Sequence, residues 1–363
     1  MGRIENFRIE FKKQNPIYTP GECIEGSIHF RVNDRIKIKC IRIRAIGRAS
    51  VHWTEIEGSQ DNRQTVHFDS EEGYLDIDTI LLKKYPNSDL FLDPDEYTFP
   101  FFIELPNNLP TSFEHEVGQI RYTLSAKIEI PWAFNKNTKK SFTVLGQYDL
   151  NENPSLRLGL GVSDQKYLCC WPCRSDPIIA NFSLMKGGYV PGEGIVFDIT
   201  VNNKSNRLIS RMSVSLIQKI KFKANYRTKL SYRTIENFRF PSSVQERSIV
   251  KWDNSVLIIP PICPTSDGRC KIIDVSYLVL FDFCASGLSL TKEMLIPIVI
   301  GTIPLRPQVE RIWNDELISY EECKFGPYPD KISFDEEDFD DIMETTEEKF
   351  KPLYPFFKEF FSN

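Results

Sequence analysis

One short pattern occurs twice in this chain of 363 residues, and it constrains the fold more than any other feature. Tyr18-Thr19-Pro20-Gly21-Glu22-Cys23-Ile24 returns 171 positions later as Tyr189-Val190-Pro191-Gly192-Glu193-Gly194-Ile195. Pro20-Gly21 and Pro191-Gly192 fit the centre of a type II turn, in which proline fixes φ and glycine supplies a positive φ. We therefore predict that Pro20, Gly21, Pro191 and Gly192 form two equivalent structural turns.

A second repeated motif follows in the same order. Pro110-Thr111-Ser112 precedes one alternating segment, and Pro264-Thr265-Ser266 precedes another, 154 positions further on. Because this offset is smaller than the first, the second unit is a shortened copy. Two ordered motif pairs predict two copies of one domain plan.

Apolar and polar side chains alternate along most of the chain, which is the period of a strand with one buried face. The alternation is unbroken from Ile120 to Ile130, and it recurs around Ile195, Met212 and Ile273. Its phase slips by one residue between Cys40 and Ile41, which predicts a β-bulge. Short strands separated by 23 prolines and 18 glycines predict an all-β protein of two tandem sandwiches.

Charge and composition divide the chain further. Residues 306–363 carry 7 basic and 16 acidic side chains, whereas the body before them has a net charge of +4. We predict a first sandwich over residues 1–150, a cysteine-containing linker over 151–176, a second sandwich over 177–305 and an acidic, partly disordered tail over 306–363. The acidic run from Asp335 to Glu348 has apolar residues at near-helical spacing, so it fits a docking helix, a latch on the basic body or a solvated tail.

The cysteines and the chain start bear on the compartment. Nine cysteines at irregular spacings, with no apolar segment behind the first basic residues, predict reduced thiols in the cytosol. The longest apolar stretch near the end of the body, Leu295 to Leu305, is too short to cross a bilayer and contains two prolines. We expect a cytoplasmic protein with no transmembrane segment.

Catalysis finds little support in the sequence. The four histidines, His29, His52, His67 and His115, are not spaced with other residues as metal ligands or as the base of a nucleophile. We expect no enzyme activity, no cofactor, no metal and no nucleic-acid partner.

Longer ordered patterns surround the repeated motifs and resemble the arrestins, most closely the alpha-arrestin branch of arrestin domain-containing proteins. In the first half they are Tyr18-x-Pro20-Gly21-Glu22-x-Ile24-x-Gly26-x-Ile28, Leu105-Pro106-x-x-Leu109-Pro110-x-Ser112-Phe113-Glu114 and Gly118-x-Ile120-x-Tyr122. In the second half they are Gly188-Tyr189-x-Pro191-Gly192-Glu193 and Ile296-Pro297-x-x-Ile300-Gly301-Thr302-x-Pro304-Leu305, with Cys169-Cys170-Trp171-Pro172-Cys173 between the halves.

The resemblance implies a fold of two tandem immunoglobulin-like β-sandwiches. It also implies a non-enzymatic adaptor that binds membrane receptors or transporters as cargo for endocytosis and sorting. Alpha-arrestins bring HECT-type ubiquitin ligases to that cargo, and recruitment to the plasma membrane or endosomes follows from the same role. A retromer-type cargo scaffold and a thioredoxin-binding redox regulator remain alternatives.

Basic side chains are the candidate site for cargo. Lys12 and Lys13 are similar to the lysine pair that receptor-binding arrestins use on phosphorylated tails, and Lys37 and Lys39 add charge nearby in sequence. An array of lysines on a sheet attracts phosphate or acidic peptide. A solvated sheet face, whose lysines also discourage edge pairing, explains the same residues.

The ligase connection depends on tail motifs that this chain has altered. Alpha-arrestins usually carry Pro-Pro-x-Tyr motifs, which WW domains grip as a preformed polyproline turn. The matching place here reads Leu317-Ile318-Ser319-Tyr320-Glu321-Glu322, without either proline. Lys351-Pro352-Leu353-Tyr354 keeps one proline and the tyrosine. We expect weak WW binding, with Pro352 and Tyr354 as the remaining anchor.

The cysteine cluster of Cys169, Cys170 and Cys173 has several possible interpretations. Cys170-x-x-Cys173 has redox spacing but no helical pattern after it, and zinc would need a second pair such as Cys263 and Cys270. S-acylation and a structural thiol cluster are the other readings. The thioredoxin-binding alpha-arrestin has a reactive cysteine three residues before a tryptophan. The matching position before Trp252 is Ile249 in this chain. We therefore expect thioredoxin binding through a cysteine to be absent.

Overall fold

The fold follows the alternation of the sequence and is built almost entirely of strands. A computed structural model describes residues 4–58, 63–86, 88–167, 176–286, 291–306, 318–329 and 350–358. Within those ranges the only helical segments are two 3-10 turns, Leu150–Glu152 and Pro154–Arg157. The cysteine cluster at residues 169–173 and the acidic run at 335–348 lie outside the described residues.

The first sandwich has a three-stranded and a six-stranded sheet, with a small strand pair beside them. Its strands are β1 (Ile4–Phe11), β2 (Ile17–Tyr18), β3 (Cys23–Val32), β4 (Ile36–Ile38), β5 (Cys40–Glu57), β6 (Gln64–Lys83), β7 (Leu90–Leu92), β8 (Asp95–Glu104), β9 (Phe113–Glu114), β10 (Gly118–Glu129) and β11 (Lys136–Val144). The sheet orders are β1-β3-β8 and β2-β11-β10-β5-β6, with β9 on β10, and β4 pairs with β7.

The second sandwich has a four-stranded and a five-stranded sheet. Its strands are β12 (Leu160–Lys166), β13 (Ile178–Leu184), β14 (Gly188–Tyr189), β15 (Gly194–Asn203), β16 (Ile209–Ala224), β17 (Arg227–Arg239), β18 (Ser248–Ile258), β19 (Ile273–Ala285) and β20 (Thr291–Ile300). The orders are β12-β13-β15-β18 and β14-β20-β19-β16-β17. Strand β12 falls within the segment predicted as a linker, and it pairs with β13 along its whole length.

The repeated motifs occupy equivalent places in the two sandwiches. Gly21 has φ of 82° and Gly192 has φ of 91°, the left-handed values that a type II turn needs at its third residue. Each motif tyrosine forms a short strand parallel to a neighbour, Tyr18 beside Val144 and Tyr189 beside Ile300. The duplicated sequence is therefore a duplicated structure.

The second motif pair is also repeated in the structure. The hydroxyl of Tyr122 donates to the carbonyl of Pro110 at 2.7 Å, and the hydroxyl of Tyr277 donates to the carbonyl of Cys263. Both tyrosines are buried. A buried hydroxyl needs such a partner, so each bond fixes a loop to a central strand.

The alternating residues form the core, as the sequence predicts. Inward side chains pack as aromatic pairs, within one sheet for Trp53 on Phe68 at 5.3 Å and between facing sheets for Phe182 on Phe281 at 5.7 Å. The predicted slip near Cys40 has two structural causes. The chain leaves the β4–β7 pair at Ile38 and enters a different sheet at Cys40, and the β5–β6 register shifts between Ile41 and Arg42.

Strand β10 differs from the half-buried strand that its alternation predicts. Residues 118–124 are buried on both faces, including Gln119, Arg121 and Thr123 on the polar face. The polar face of this part of β10 is covered because the second sandwich packs there: β16 contacts β5 and β6, and Phe222 lies against His115 with ring centroids 4.9 Å apart. A polar surface between the two sandwiches is thus removed from solvent.

Two strands from the tail complete the fold. Strand β21 (Ile318–Glu322) pairs antiparallel with β22 (Leu353–Phe357), so that Tyr320 faces Pro355. Segments predicted as part of an acidic, partly disordered tail are therefore ordered strands that pack on the body. The surface that holds them, here called the seat, lies where the two sandwiches meet. It includes Thr143 of the first sandwich and Pro191 of the second.

Candidate functional site at the domain interface

Strand β22 is bonded to both sandwiches. Its first amide, on Leu353, donates to Thr143 Oγ1 of the first sandwich at 3.1 Å. Its last amide, on Phe357, donates to the carbonyl of Pro191 in the second sandwich at 3.1 Å. One five-residue strand therefore spans the interface.

Tyr354 anchors this strand in the interior. Its side chain is 0% exposed, and its hydroxyl donates to the carbonyl of Ser112 at 2.7 Å. Burial raises the pKa of Tyr354 well above its ordinary value, with the Cys263 thiol as a further cause. The phenol thus stays protonated and acts as a hydrogen-bond donor at every physiological pH.

The second turn of the repeat forms part of the same seat. A Cβ placed on Gly192 would lie 2.6 Å from the amide nitrogen of Phe357 and 2.9 Å from its carbonyl carbon. Gly192 therefore combines a positive φ with a close approach to β22. Gly21, its counterpart in the first sandwich, faces only the side chain of Asn107.

This difference yields a prediction with a built-in control. Gly192→Ala and Gly21→Ala both place a side chain at positive φ, which costs about 1–2 kcal/mol. Only Gly192→Ala also pushes against the backbone of β22, so it should undock the strand. Hydrogen exchange of residues 353–357 should accelerate in Gly192→Ala and stay at the wild-type rate in Gly21→Ala. Equal exchange in both variants would refute the close approach as a docking constraint.

Strand β21 and the residues after it hold the other side of the seat. The amide of Cys323 donates to Pro352 O at 2.9 Å, and the amide of Lys324 donates to Pro261 O at 3.0 Å. The Lys324 ammonium pairs with Glu236 of β17. The tail is thereby fixed to the second sandwich at two separate places.

A buried ion pair lies beneath the tail. Arg121 of β10 forms two parallel hydrogen bonds with Glu114 of β9, at 2.8 and 2.7 Å, and the two side chains are 2% and 0% exposed. The guanidinium also donates to the carbonyl of Tyr328 at 3.3 Å, and Phe350 lies 5.7 Å from it. Paired and hydrogen-bonded, the two charges satisfy the conditions under which buried charges are tolerated.

Arg233 of β17 extends this polar cluster into the second sandwich. It donates to the carbonyl of Glu114 at 3.4 Å, and its guanidinium lies 4.5 Å from the ring of Phe325 and 5.6 Å from that of Tyr328. His115 also contacts the second sandwich: its Nε2 lies 3.1 Å from the Oγ of Ser231 on β17. First sandwich, second sandwich and tail therefore meet at one set of polar contacts.

The lysines predicted to bind phosphate lie on different elements of the first sandwich. Lys12 and Lys13 come directly after β1, Lys37 lies on β4, and Lys39 lies between β4 and β5. Lys12 pairs with Glu25 at 2.6 Å and Lys37 with Asp89 at 2.6 Å. These pairs favour the interpretation of Lys12 and Lys37 as part of a solvated sheet surface.

Lys13 has a structural role that the repeat makes visible. It pairs with Glu22, whose carboxylate accepts the amide of Thr19 at 2.9 Å and so closes the Pro20-Gly21 turn. In the second copy Lys186 pairs with Glu193, which accepts the amide of Val190 at 3.2 Å. The same arrangement in both sandwiches indicates that Lys13 stabilises the turn.

The tail tyrosines have opposite environments. Pro352 and Tyr354 are buried, whereas Tyr320 is 44% exposed. Pro352 and Tyr354 cannot contact a WW domain while β22 is docked. Leu317, the first position of the altered motif, lies outside the described residues.

The cysteines outside the cluster are mostly enclosed. Burial raises the thiol pKa of Cys263, Cys270 and Cys323. Ile249, at the place of the reactive cysteine of the redox class, is an exposed residue of β18. Among the residues that the structure describes, no group of three or more His, Cys, Asp and Glu is arranged to hold a metal ion.

These thiols should react slowly. Because a raised pKa reduces the thiolate fraction and burial blocks access, iodoacetamide should label Cys263, Cys270 and Cys323 about ten-fold or more slowly than half-buried Cys23. Mass spectrometry of the labelled, folded protein measures this directly. A mixed disulfide with thioredoxin at Cys263 or Cys270 would contradict the expectation and restore the redox class.

Sequence reasoning missed the main elements of this site. Glu114 and Arg121 were visible only as members of a motif and of an alternating strand, and Arg233 was not singled out. The available signal was Arg121, the first charged residue of the alternating strand from Gly118 to Glu129. No helix in the described ranges is both long and apolar enough to cross a membrane.

Comparison with known proteins places both sandwiches. Residues 7–151 match the family model described as arrestin (or S-antigen), N-terminal domain, and residues 174–305 match the corresponding C-terminal domain. Arrestin domain-containing protein 17 of Caenorhabditis elegans is 29% identical over 322 residues, 85% of this chain and 73% of that protein. Arrestin domain-containing protein 4 of Homo sapiens is 28% identical over 310 residues, 84% and 72% of the two chains. Arrestin domain-containing protein 1 of Rattus norvegicus is 26% identical over 314 residues, 85% and 68%.

Proposed function

This chain belongs to the arrestin family, and from that premise we propose that it is a non-enzymatic adaptor for membrane cargo. Its ligands in this proposal are cytoplasmic segments of receptors or transporters that undergo endocytosis and sorting. It works in the cytoplasm and is recruited to the plasma membrane or endosomes. The domain organisation proposed with this role is a first sandwich over residues 1–150, a connecting segment over 151–176 that contributes β12 to the second sandwich, the second sandwich over 177–305 and a tail over 306–363.

One observation carries the proposal: β22 is hydrogen-bonded to Thr143 and to Pro191, and so holds two arrestin-type sandwiches in a single arrangement. An adaptor needs a fixed relative position of its binding surfaces, because preorganisation reduces the entropic cost of binding. The ion pair of Glu114 and Arg121 supports the same arrangement from beneath. These contacts favour a scaffold over a pair of independently moving domains.

The connection to HECT-type ligases is the less supported part of the role. The remaining anchor, Pro352 and Tyr354, is buried against the body, and a WW domain would need the strand to leave its seat. We propose that ligase binding through this motif is weak and requires undocking of β22.

Competition between seat and WW domain gives a direct prediction. A peptide of residues 350–358 should bind an isolated WW domain more tightly than the full chain does. The difference between the two binding free energies should be at least the free energy that docks β22. Titration of both against the same domain measures the difference. Equal affinity of peptide and full chain would show that the motif is accessible and would contradict the occluded site.

Acidic or phosphorylated cargo segments remain proposed ligands for Lys12, Lys13, Lys37 and Lys39. Lys12 and Lys37 would have to exchange Glu25 and Asp89 for the incoming anion. Such exchange at exposed ion pairs is sensitive to salt. Binding of a phosphopeptide should therefore fall steeply between low and physiological ionic strength.

Proximity labelling of the tagged full chain in its own cells tests the adaptor role. Enrichment of integral membrane proteins over the untethered labelling enzyme is the expected result. A labelled set without membrane proteins would overturn the proposal. A stable stoichiometric complex on purification would instead favour the retromer-type scaffold.

A further inference from the structure

The hairpin between β10 and β11 presents aromatic side chains to solvent. Trp132 is fully exposed, and Phe134 is 63% exposed. The turn is held by the amide of Ile130, which donates to Asn135 Oδ1 at 3.0 Å. Trp132 has φ of 60°, a conformation that costs a non-glycine residue free energy. Because the turn is strained and leaves the Trp132 indole exposed to water, we expect a partner that buries the indole.

Lysines from three neighbouring chain segments surround this tip. Lys136 begins β11 directly after the turn, and the amide of Lys39 donates to Glu129 O at 2.7 Å. Cys40 of β5 pairs with Glu129 of β10 on one side and with Lys83 of β6 on the other, so Lys83 lies two strands away from Glu129 in the sheet. The amide of Lys84 donates to the carbonyl of Lys39 at 3.3 Å. Since neighbouring strands are about 4.8 Å apart, these lysines occupy one end of the sheet.

The charge of this end is largely uncompensated. Within the described residues, no carboxylate lies within ion-pairing distance of Lys39, Lys83, Lys84 or Lys136. The two acidic side chains nearby are engaged elsewhere: Glu129 lies 3.5 Å from Arg42, and Asp89 pairs with Lys37. Tyr85, next to Lys84, is 80% exposed. Exposed aromatic rings and free ammonium groups therefore share one surface.

We propose that this surface, formed by Lys39, Lys83, Lys84, Lys136, Trp132 and Phe134, docks on an anionic lipid bilayer. Tryptophan prefers the headgroup level of a membrane, and lysines beside it are attracted by negatively charged headgroups. The aromatic side chains project from a hairpin tip rather than line a groove. A bound peptide gains contact area from a groove or a strand edge, whereas a bilayer accepts a projecting tip, so the geometry favours lipid. The inference rests on the proposed adaptor role only for its setting at a membrane.

Flotation of the full chain with vesicles tests it. The protein should bind phosphatidylserine-rich vesicles and not pure phosphatidylcholine vesicles. Trp132→Ala combined with Phe134→Ala should weaken binding by about ten-fold or more. Lys39→Gln combined with Lys84→Gln should weaken it by about 25-fold, since each lysine near an anionic surface contributes about five-fold. All four substitutions are at exposed positions, and the melting temperature verifies that each variant is folded.

Tyr226 supplies a matched control. It is a fully exposed aromatic residue at the tip of the β16–β17 hairpin, and its neighbour Arg227 pairs with Glu57 at the far end of β5. Tyr226→Ala should leave vesicle binding unchanged. No binding to phosphatidylserine vesicles, or binding that ignores Trp132 and Phe134, would overturn the proposal. Loss of phosphopeptide binding in the lysine variant, with vesicle binding intact, would assign the surface to peptide instead. Cargo labelling is measured separately, so failure here leaves the adaptor role standing.

Discussion

Arg121→Ala should lower the free energy of unfolding by about 3–5 kcal/mol, because it leaves the carboxylate of Glu114 buried without its partner. The pair is bidentate and nearly inaccessible to solvent, so water cannot replace the guanidinium. The substitution also removes the donor to Tyr328 and the neighbour of Phe350. Chemical denaturation of the folded chain measures the loss.

Two controls identify burial as the cause. Arg44 and Asp76 form the same bidentate pair at 2.8 Å on an exposed surface, so Arg44→Ala should cost about 0–1 kcal/mol. Replacing both buried partners, with Glu114→Gln and Arg121→Met, should recover much of the stability, because no unpaired charge remains. A similar small loss for Arg121→Ala and Arg44→Ala would show that the interface pair is solvated.

Tyr354→Ala should release the tail from its seat. The substitution empties a fully buried site, a change that costs about 3–5 kcal/mol for large aromatic residues, and it removes the bond to Ser112. Because β21 and β22 form a small separate sheet, the loss should appear as local undocking rather than global unfolding. Limited proteolysis within residues 318–329 and 350–358, and faster alkylation of Cys323, report the release.

The tail itself offers the controls for this effect. Tyr354→Phe keeps the ring and removes only the hydroxyl, so it should cost about 1–3 kcal/mol for the unpaired carbonyl of Ser112. Tyr320→Ala, on the exposed side of the same small sheet, should cost less than about 1 kcal/mol. Undocking by Tyr320→Ala equal to that by Tyr354→Ala would mean that the seat is not specific to the buried ring.

Local patterns were sufficient to predict the two sandwiches. Alternation around Ile195 and Ile273 determines which side chains face the core, and Pro-Gly at residues 20–21 and 191–192 determines the turns. Each of these signals acts within a few residues, so a single sequence carries it. The arrestin family membership and the β-sandwich fold are confirmed by the comparisons and by the strands.

The interface depended on contacts between distant residues and was not predicted. Glu114 and Arg233 are more than a hundred positions apart, and β21 and β22 are only five residues each. A strand of five residues shows little periodicity. No local sequence pattern indicates that Tyr354 packs against Ser112 rather than in the groove of a WW domain. The alternation of β10 misled for the same reason: it describes one sheet in isolation, whereas a second sandwich covers the polar face.

Hydrogen exchange of β22 in the full wild-type chain tests the central claim that the tail is a structural strand between the sandwiches. The amides of Leu353 and Phe357, bonded to Thr143 and Pro191, should exchange about a hundred-fold or more slowly than in a free peptide of residues 350–358. That ratio corresponds to an opening free energy of about 3 kcal/mol. Exchange at the rate of the free peptide would contradict the claim, because it would mean that the strand does not occupy its seat in solution.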